Sequence, residues 1–201
     1  MKYCSACGAE VEFRIPAGDD RKRYVCPACD VVHYINPRVI VGCLAVHEDR
    51  VLLCRRAIQP RYGLWTLPAG FMENGETTLA GAARETWEEA CGRVSDLELY
   101  RVFDVPYISQ VYMFYRCLLD RGEHAVGPES LETGLFTEAE IPWEEIAFPV
   151  VRSTLEDFFA DRRRGAFPVV VDEIQVRRES ESGTRAPHSE PMTTPPHSKG
   201  K

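Results

Sequence analysis

The chain has 201 residues, 44% of them hydrophobic and 27% charged, with a formal net charge of −7. That length suits one domain with a small appendage and can bury a core without disulfides. No apolar run approaches the roughly 18 residues of a transmembrane helix, and the acidic balance argues against bulk binding to nucleic-acid backbones or anionic lipid.

The first residues, Met1-Lys2-Tyr3-Cys4-Ser5-Ala6-Cys7-Gly8, lack the apolar core of a signal peptide. The expected location is therefore the cytosol, where thiols stay reduced and patterned cysteines point to metal. Residues 1–34 hold four of the eight cysteines, as Cys4-x2-Cys7 and Cys26-x2-Cys29 with 18 residues between the pairs. Each tight turn aims two thiolates at one metal, so this spacing is a zinc signature. Val11–Ile15 and Tyr24-Val25 can flank a hairpin around Gly18-Asp19-Asp20, which makes a zinc ribbon. All four corners are used, so Zn²⁺ there is structural, and a segment this short needs it to fold. Arg21-Lys22-Arg23 reads as a solvated turn.

Residues 35–168 carry the long apolar patterns. Val39–Val46 is a buried strand, Glu48-Asp49-Arg50 a turn, and Val51–Arg56 the returning strand. Leu64–Leu67 is a short strand stopped by Pro68. Residues 78–90 form a helix with Thr77 or Thr78 as N-cap and Gly92 near its end. Leu97–Phe103, Gln110–Leu119 and Leu131–Phe136 are further strands, and Val151–Arg164 is a closing amphipathic helix. Strands on both sides of one central helix, with a second helix late, predict an α/β sandwich. Cys43, Cys54, Cys91 and Cys117 are expected in the core. Residues 169–201 read as a tail, disordered from Glu179 to Lys201: no aromatic follows Phe167, and the end is rich in Ser, Pro and His.

The central helix carries Glu85, Glu88 and Glu89 at i, i+3 and i+4, on one face. Like charges at this spacing repel, and acids near a helix C-terminus oppose the macrodipole. A hard divalent cation held by carboxylate oxygens explains such a cluster. Arg84 can pair with Glu88 one turn later. The opposite face, Leu79, Ala82, Ala83, Thr86 and Ala90, is small and suited to packing on a sheet.

With the glycine loop ahead of it, this stretch resembles the Nudix box, Gly-x5-Glu-x7-Arg-Glu-U-x-Glu-Glu-x-Gly-U, where U is aliphatic. Gly70, Glu76, Arg84, Glu85, Glu88 and Glu89 match in register. Thr86 replaces an aliphatic residue, and Cys91 stands at the family glycine, with Gly92 one place later. The resemblance implies a Nudix α/β/α sandwich behind the ribbon. It also implies a hydrolase that cleaves a nucleoside diphosphate linked to another moiety into a nucleoside monophosphate and a phosphorylated remainder. Carried over by position, Glu85, Glu88, Glu89 and the Gly70 carbonyl would hold Mg²⁺ or Mn²⁺, while Glu76 and Arg84 would brace the loop on the helix. A base for the attacking water would be Glu89 or a carboxylate outside the box, with Glu129 and Glu132 as candidates.

A zinc ribbon followed by Asn36-Pro37-Arg38 and then this box is an order similar to that of NADH pyrophosphatases. It is also similar to a smaller zinc-ribbon group that includes plant FAD pyrophosphatases, whose sequences resemble the stretch Arg61–Met72. The Ser-Gln-Pro-Trp-Pro-Phe-Pro motif of the NADH enzymes is absent; Asp104–Gln110 stands there instead. FAD and ADP-ribose are thus the favoured substrates. For the nucleotide ring, Trp65 and Phe71 are the first aromatic candidates, with Tyr62, Tyr107 and Tyr112 behind them. Arg55 and Arg56 are candidates for phosphate. Two alternatives stand beside this reading. One is a housecleaning hydrolase of damaged nucleoside triphosphates. The other is an inactive protein docking RNA or a partner through the ribbon, which the acidic charge and intact glutamates disfavour. The resemblance also implies a homodimer.

Overall fold

The computed structural model describes residues 1–175. Residues 1–35 fold around a small antiparallel sheet of β1 (Glu12–Arg14), β2 (Arg23–Val25) and β3 (Val32–His33), in that order. Glu12 faces Val25 and Tyr24 faces His33, so the expected hairpin forms and a third strand extends it. Gly18 lies in this hairpin at φ +83°.

The larger sheet is built from β4 (Arg38–His47), β5 (Arg50–Arg56), β6 (Trp65–Thr66), β7 (Ala69–Phe71), β8 (Val94–Val105), β9 (Gln110–Leu119), β10 (Ser130–Phe136) and β11 (Val170–Glu173). Its spine runs β10-β5-β4-β9-β8-β11. β4 and β9 are parallel, with Ile40 beside Tyr112. The β4–β5 hairpin is paired only next to its turn, at Val46–Val51 and His47–Arg50. Beyond that the strands splay. β6 pairs with β5 through Thr66 and Trp65, and β7 pairs with β4 through Ala69, Gly70 and Phe71. This wedge carries the Gly70 segment into the middle of the sheet. Gly42 permits it: a Cβ there would lie 2.4 Å from the Ala69 Cβ and 2.6 Å from the Pro68 carbonyl oxygen.

Alternation along the strands separates two cores. Val41, Cys43, Ala45, Leu52 and Cys54 pack against α1 (Thr78–Ala90), meeting Ala82 and Ala90. Leu44, Val51, Leu53, Tyr100, Phe103 and Phe114 pack against α2 (Pro149–Arg164), meeting Leu155 and Phe158. The sheet between two helices is the expected α/β/α sandwich.

Thr77 caps α1, its hydroxyl accepting the Ala80 N–H at 3.1 Å. Cys91 closes the helix in the left-handed region at φ 49°. That corrects the expectation for one cysteine: Cys43, Cys54 and Cys117 are buried, but Cys91 is a half-buried cap. Leu79 also departs from the expected packing face and is exposed. The tail is shorter than the sequence implied. Val170–Glu173 pair in parallel with Arg101–Asp104 of β8, and Ile174 packs on the α2 core. Residues 176–201, including Glu179–Lys201, lie outside the described residues. Among the described residues, no helix is long and apolar enough to cross a membrane.

Candidate functional site

The site grows from the contact between β7 and α1. A Cβ on Gly70 would lie 2.4 Å from the carboxyl carbon and both oxygens of Glu85. An alanine there would force that carboxyl to move. Gly81, on the same helix, allows a second close approach, with the Glu76 Oε1 atom 2.7 Å from where its Cβ would stand.

Arg84 gathers the loop and the helix. Its Nε and Nη2 donate to the Glu76 carboxylate at 3.0 and 2.8 Å, and Nη2 also reaches the Phe71 carbonyl oxygen at 3.2 Å. Nη1 donates to both Glu85 and Glu88 at 2.8 Å. The Glu73 N–H donates to Glu76 at 2.7 Å. The Arg84 guanidinium, with that amide, holds the Glu76 carboxyl down at about 2. The repulsion expected among the helix glutamates is thus relieved by the arginine between them, which converges the oxygens of Glu85 and Glu88 on one point.

Glu89 is 6% exposed and accepts the Ala69 N–H at 3.2 Å. Burial, and after it the charge of Glu85, pushes its carboxyl up to about 8. Burial also raises Glu85, with Arg84 opposing. Two buried acids beside a more exposed third offer hard oxygen donors of the kind Mg²⁺ and Mn²⁺ select.

These residues line a cavity of about 720 Å³. Gly70, Glu73, Arg84, Glu85, Glu88 and Glu89 share its lining with Ile40, Tyr112, Phe114, Phe148 and Val151. Glu129 joins them from the 120s loop. That loop is fixed by Ala125 N–H to the Ala90 carbonyl at 2.8 Å and Gly127 N–H to the Glu89 carbonyl at 3.1 Å. The Glu129 carbonyl then accepts the Ala57 N–H at 2.8 Å.

The structure sorts the remaining candidates. Phe71 lines the cavity and is exposed, with the Arg38 guanidinium 4.7 Å from its ring centre. Trp65 does not line it. It is a core residue, edge-on to Phe136 at 5.0 Å, because it sits on the face of β6 that meets the α2 core. Arg56 lines the cavity; Arg55, pointing the other way, pairs with Glu132 at 3.6 Å. Neither Arg55 nor Glu132 lines the cavity, since strand alternation turns them from it. Phe114, Phe148 and Gly127 were not singled out in the sequence. No local pattern marks them, because their roles arise from contacts between distant segments.

In the ribbon, the four thiol sulfurs lie within 4.8 Å of one another. Sulfurs about 2.3 Å from a tetrahedral zinc are separated by about 3.8 Å. Cys4 and Cys29 stand 3.7 Å apart, and Cys7 and Cys26 3.5 Å, so the thiols fit that ion.

Comparison with known proteins places this geometry. The family model described as "Nudix N-terminal" matches residues 2–35, and that of the NUDIX domain matches residues 36–161. The crystal structure of a NUDIX hydrolase from Nitrosomonas europaea is 53% identical. It covers 87% of this chain and 99% of its own, with a TM-score of 0.84. A MutT NUDIX hydrolase from Burkholderia pseudomallei is 26% identical over 61% of this chain and 98% of its own, with a TM-score of 0.54. The NAD-capped RNA hydrolase NudC of Escherichia coli (strain SMS-3-5 / SECEC) is 30% identical over 165 residues, 79% of this chain. The chain spans 60% of the length of that curated relative. Since the NUDIX domain alone accounts for well over half of the sequence and the ribbon for most of what precedes it, the chain belongs to the Nudix hydrolase family, in its zinc-ribbon branch.

Proposed function

We propose that the chain is a divalent-metal-dependent pyrophosphatase. It hydrolyses a nucleoside diphosphate linked to another moiety, with FAD and ADP-ribose as the first substrates, to a nucleoside monophosphate and a phosphorylated remainder. The observation that carries this is one cavity lined both by carboxylates, Glu85, Glu88 and Glu89 beside Gly70, and by the aromatic rings of Tyr112 and Phe114. Pyrophosphate suits the first and a flat ring the second.

Glu85, Glu88, Glu89 and the Gly70 carbonyl would hold Mg²⁺ or Mn²⁺, whose positive charge would offset the negative charge of the pyrophosphate and would acidify a bound water. The protein's own contribution is position. Arg84 ties Glu76, Glu85 and Glu88 into one unit, which fixes two of the three glutamates relative to the loop. Glu129, in the loop that hydrogen-bonds to the Glu89 backbone, accepts the proton of the attacking water; Glu132 is engaged by Arg55. Arg56 binds phosphate, and Phe71 flanks the entering ring. The zinc of the ribbon is structural, because four thiolates leave no open position. NAD and NAD-capped RNA enter as substrates to test through the name of the Escherichia coli relative; the missing Ser-Gln-Pro-Trp-Pro-Phe-Pro motif ranks them second.

The test is a product-resolved screen with Mg²⁺ or Mn²⁺ over FAD, ADP-ribose, NADH, NAD-capped RNA and an oxidised dGTP, with Glu88→Gln in parallel. AMP from FAD or ADP-ribose and a dead variant are expected. Inorganic pyrophosphate from the oxidised dGTP alone moves the function to triphosphate housecleaning. No cleavage, or a variant equal to wild type, overturns the proposal.

A further inference from the structure

One cation lining the cavity makes no ion pair among the described residues, although its charge reaches the Glu89 carboxylate. Arg56 ends β5, and its Nε donates to the Pro60 carbonyl oxygen at 2.9 Å. Its two terminal nitrogens make no hydrogen bond among the described residues, whereas the neighbouring Arg55 is paired with Glu132. A half-buried guanidinium left this way is held by something else. Its central carbon lies 5.1 Å from the ring centre of Phe148, within cation–π range.

Phe148 is itself out of place by local rules. It is the N-cap of α2, in extended backbone, and its side chain makes no cap hydrogen bond. Ser, Thr, Asp or Asn at this position caps a helix far better. A residue that breaks a local preference beside a cavity marks a demand of the site. Pro149 at the first helical position fixes the chain direction there, so the ring is presented by a rigid element.

We infer that Phe148 is a positioning residue for substrate binding: its ring and the Pro60 carbonyl hold the Arg56 guanidinium with its free terminal N–H groups turned to a substrate phosphate in the cavity. This rests on the proposed function for the identity of the substrate. The two terminal nitrogens of the guanidinium remain available, and they are the groups that pair with phosphate oxygens.

The experiment is calorimetric titration of ADP-ribose with Mg²⁺ into Glu88→Gln protein, which isolates binding from turnover. Phe148→Leu keeps an apolar side chain of similar bulk but removes the ring face; Phe148→Trp keeps the face. Expected are a Kd raised about fivefold by Phe148→Leu and about tenfold by Arg56→Ala, with Phe148→Trp near its parent. In an Arg56→Ala background, Phe148→Leu should have no further effect. An unchanged Kd for Phe148→Leu, a full additional loss in the Arg56→Ala background, or no ADP-ribose binding by the parent overturns the inference. If the Phe148 pattern appears while wild-type protein cleaves nothing in the screen, the pair stands and the pyrophosphatase reading falls.

Discussion

Gly70 and Glu85 share one volume: the space a side chain on Gly70 needs is filled by the Glu85 carboxyl, 2.4 Å from where its Cβ would stand. Gly70→Ala must therefore move either β7 or the glutamate. Because β7 is tied to β4 through Val41, the glutamate yields. A displacement near 1 Å in a reacting group costs about 100-fold in rate. The expected result is a drop in kcat of that order with the far-ultraviolet circular dichroism unchanged.

Gly127 stands in the same relation to Glu88. A Cβ there would come 1.9 Å from the Glu88 carbonyl oxygen, which is backbone and cannot rotate away. Gly127→Ala should expel the 120s loop and with it Glu129. A stability loss of about 1–3 kcal/mol by urea titration is expected. A fall in kcat larger than the change in KM should accompany it.

Arg101 and Asp161 form a buried pair, 3% and 0% exposed in their side chains, at 2.7 Å. Tyr100 donates to the same carboxylate at 2.6 Å, and Arg101 also reaches the Pro168 carbonyl at 2.8 Å, which anchors the approach to β11. Burial pushes the Asp161 carboxyl up, but hydrogen bonds from Tyr100, Arg101 and Arg164 outweigh it and hold it below the usual carboxylate range. A lowered folded-state value means the stabilisation is complete above the unfolded value, about 4, and is lost as pH falls through the folded one. Asp161→Asn leaves Arg101 with Asp157 alone, at 3.1 Å, and should cost about 1–3 kcal/mol at neutral pH. Urea midpoints measured from neutral pH into the acid range should converge for the two proteins.

Cys91 takes φ 49° at the end of α1, where a side chain is strained and glycine is not. Cys91→Gly should stabilise the protein by about 1 kcal/mol, read as a higher Tm. Activity should not change, since Glu85, Glu88 and Glu89 lie before the cap.

The two sheets share no strand, so metal loss should separate them. A chelator, or Cys26→Ser, should remove the zinc, measured by elemental analysis. Amide exchange should then accelerate in residues 1–34, while β4 through α2 keeps its protection.

Spacing encodes the part of this protein that is legible in one dimension. Two cysteine pairs define a ribbon because each pair is a local turn. Glu85, Glu88 and Glu89 share a face because the helical period is fixed, and a threonine cap and the long strands follow from capping and apolar patterning, whereas β7 and β11 do not. Tertiary structure alone decided the rest. Alternation shows that Arg55 and Arg56 face opposite ways, but only the pairing of β5 with β10 gives Arg55 to Glu132 and leaves Arg56 to the cavity. Trp65 and Phe71 are equally aromatic and flank the same loop, yet the splayed hairpin sends one to the core and leaves the other at the mouth. Phe148 lies 92 positions from the Arg56 whose guanidinium stands 5.1 Å from its ring centre. Such a contact has no period and no motif, because it exists only where separate segments are brought together by the burial of other residues.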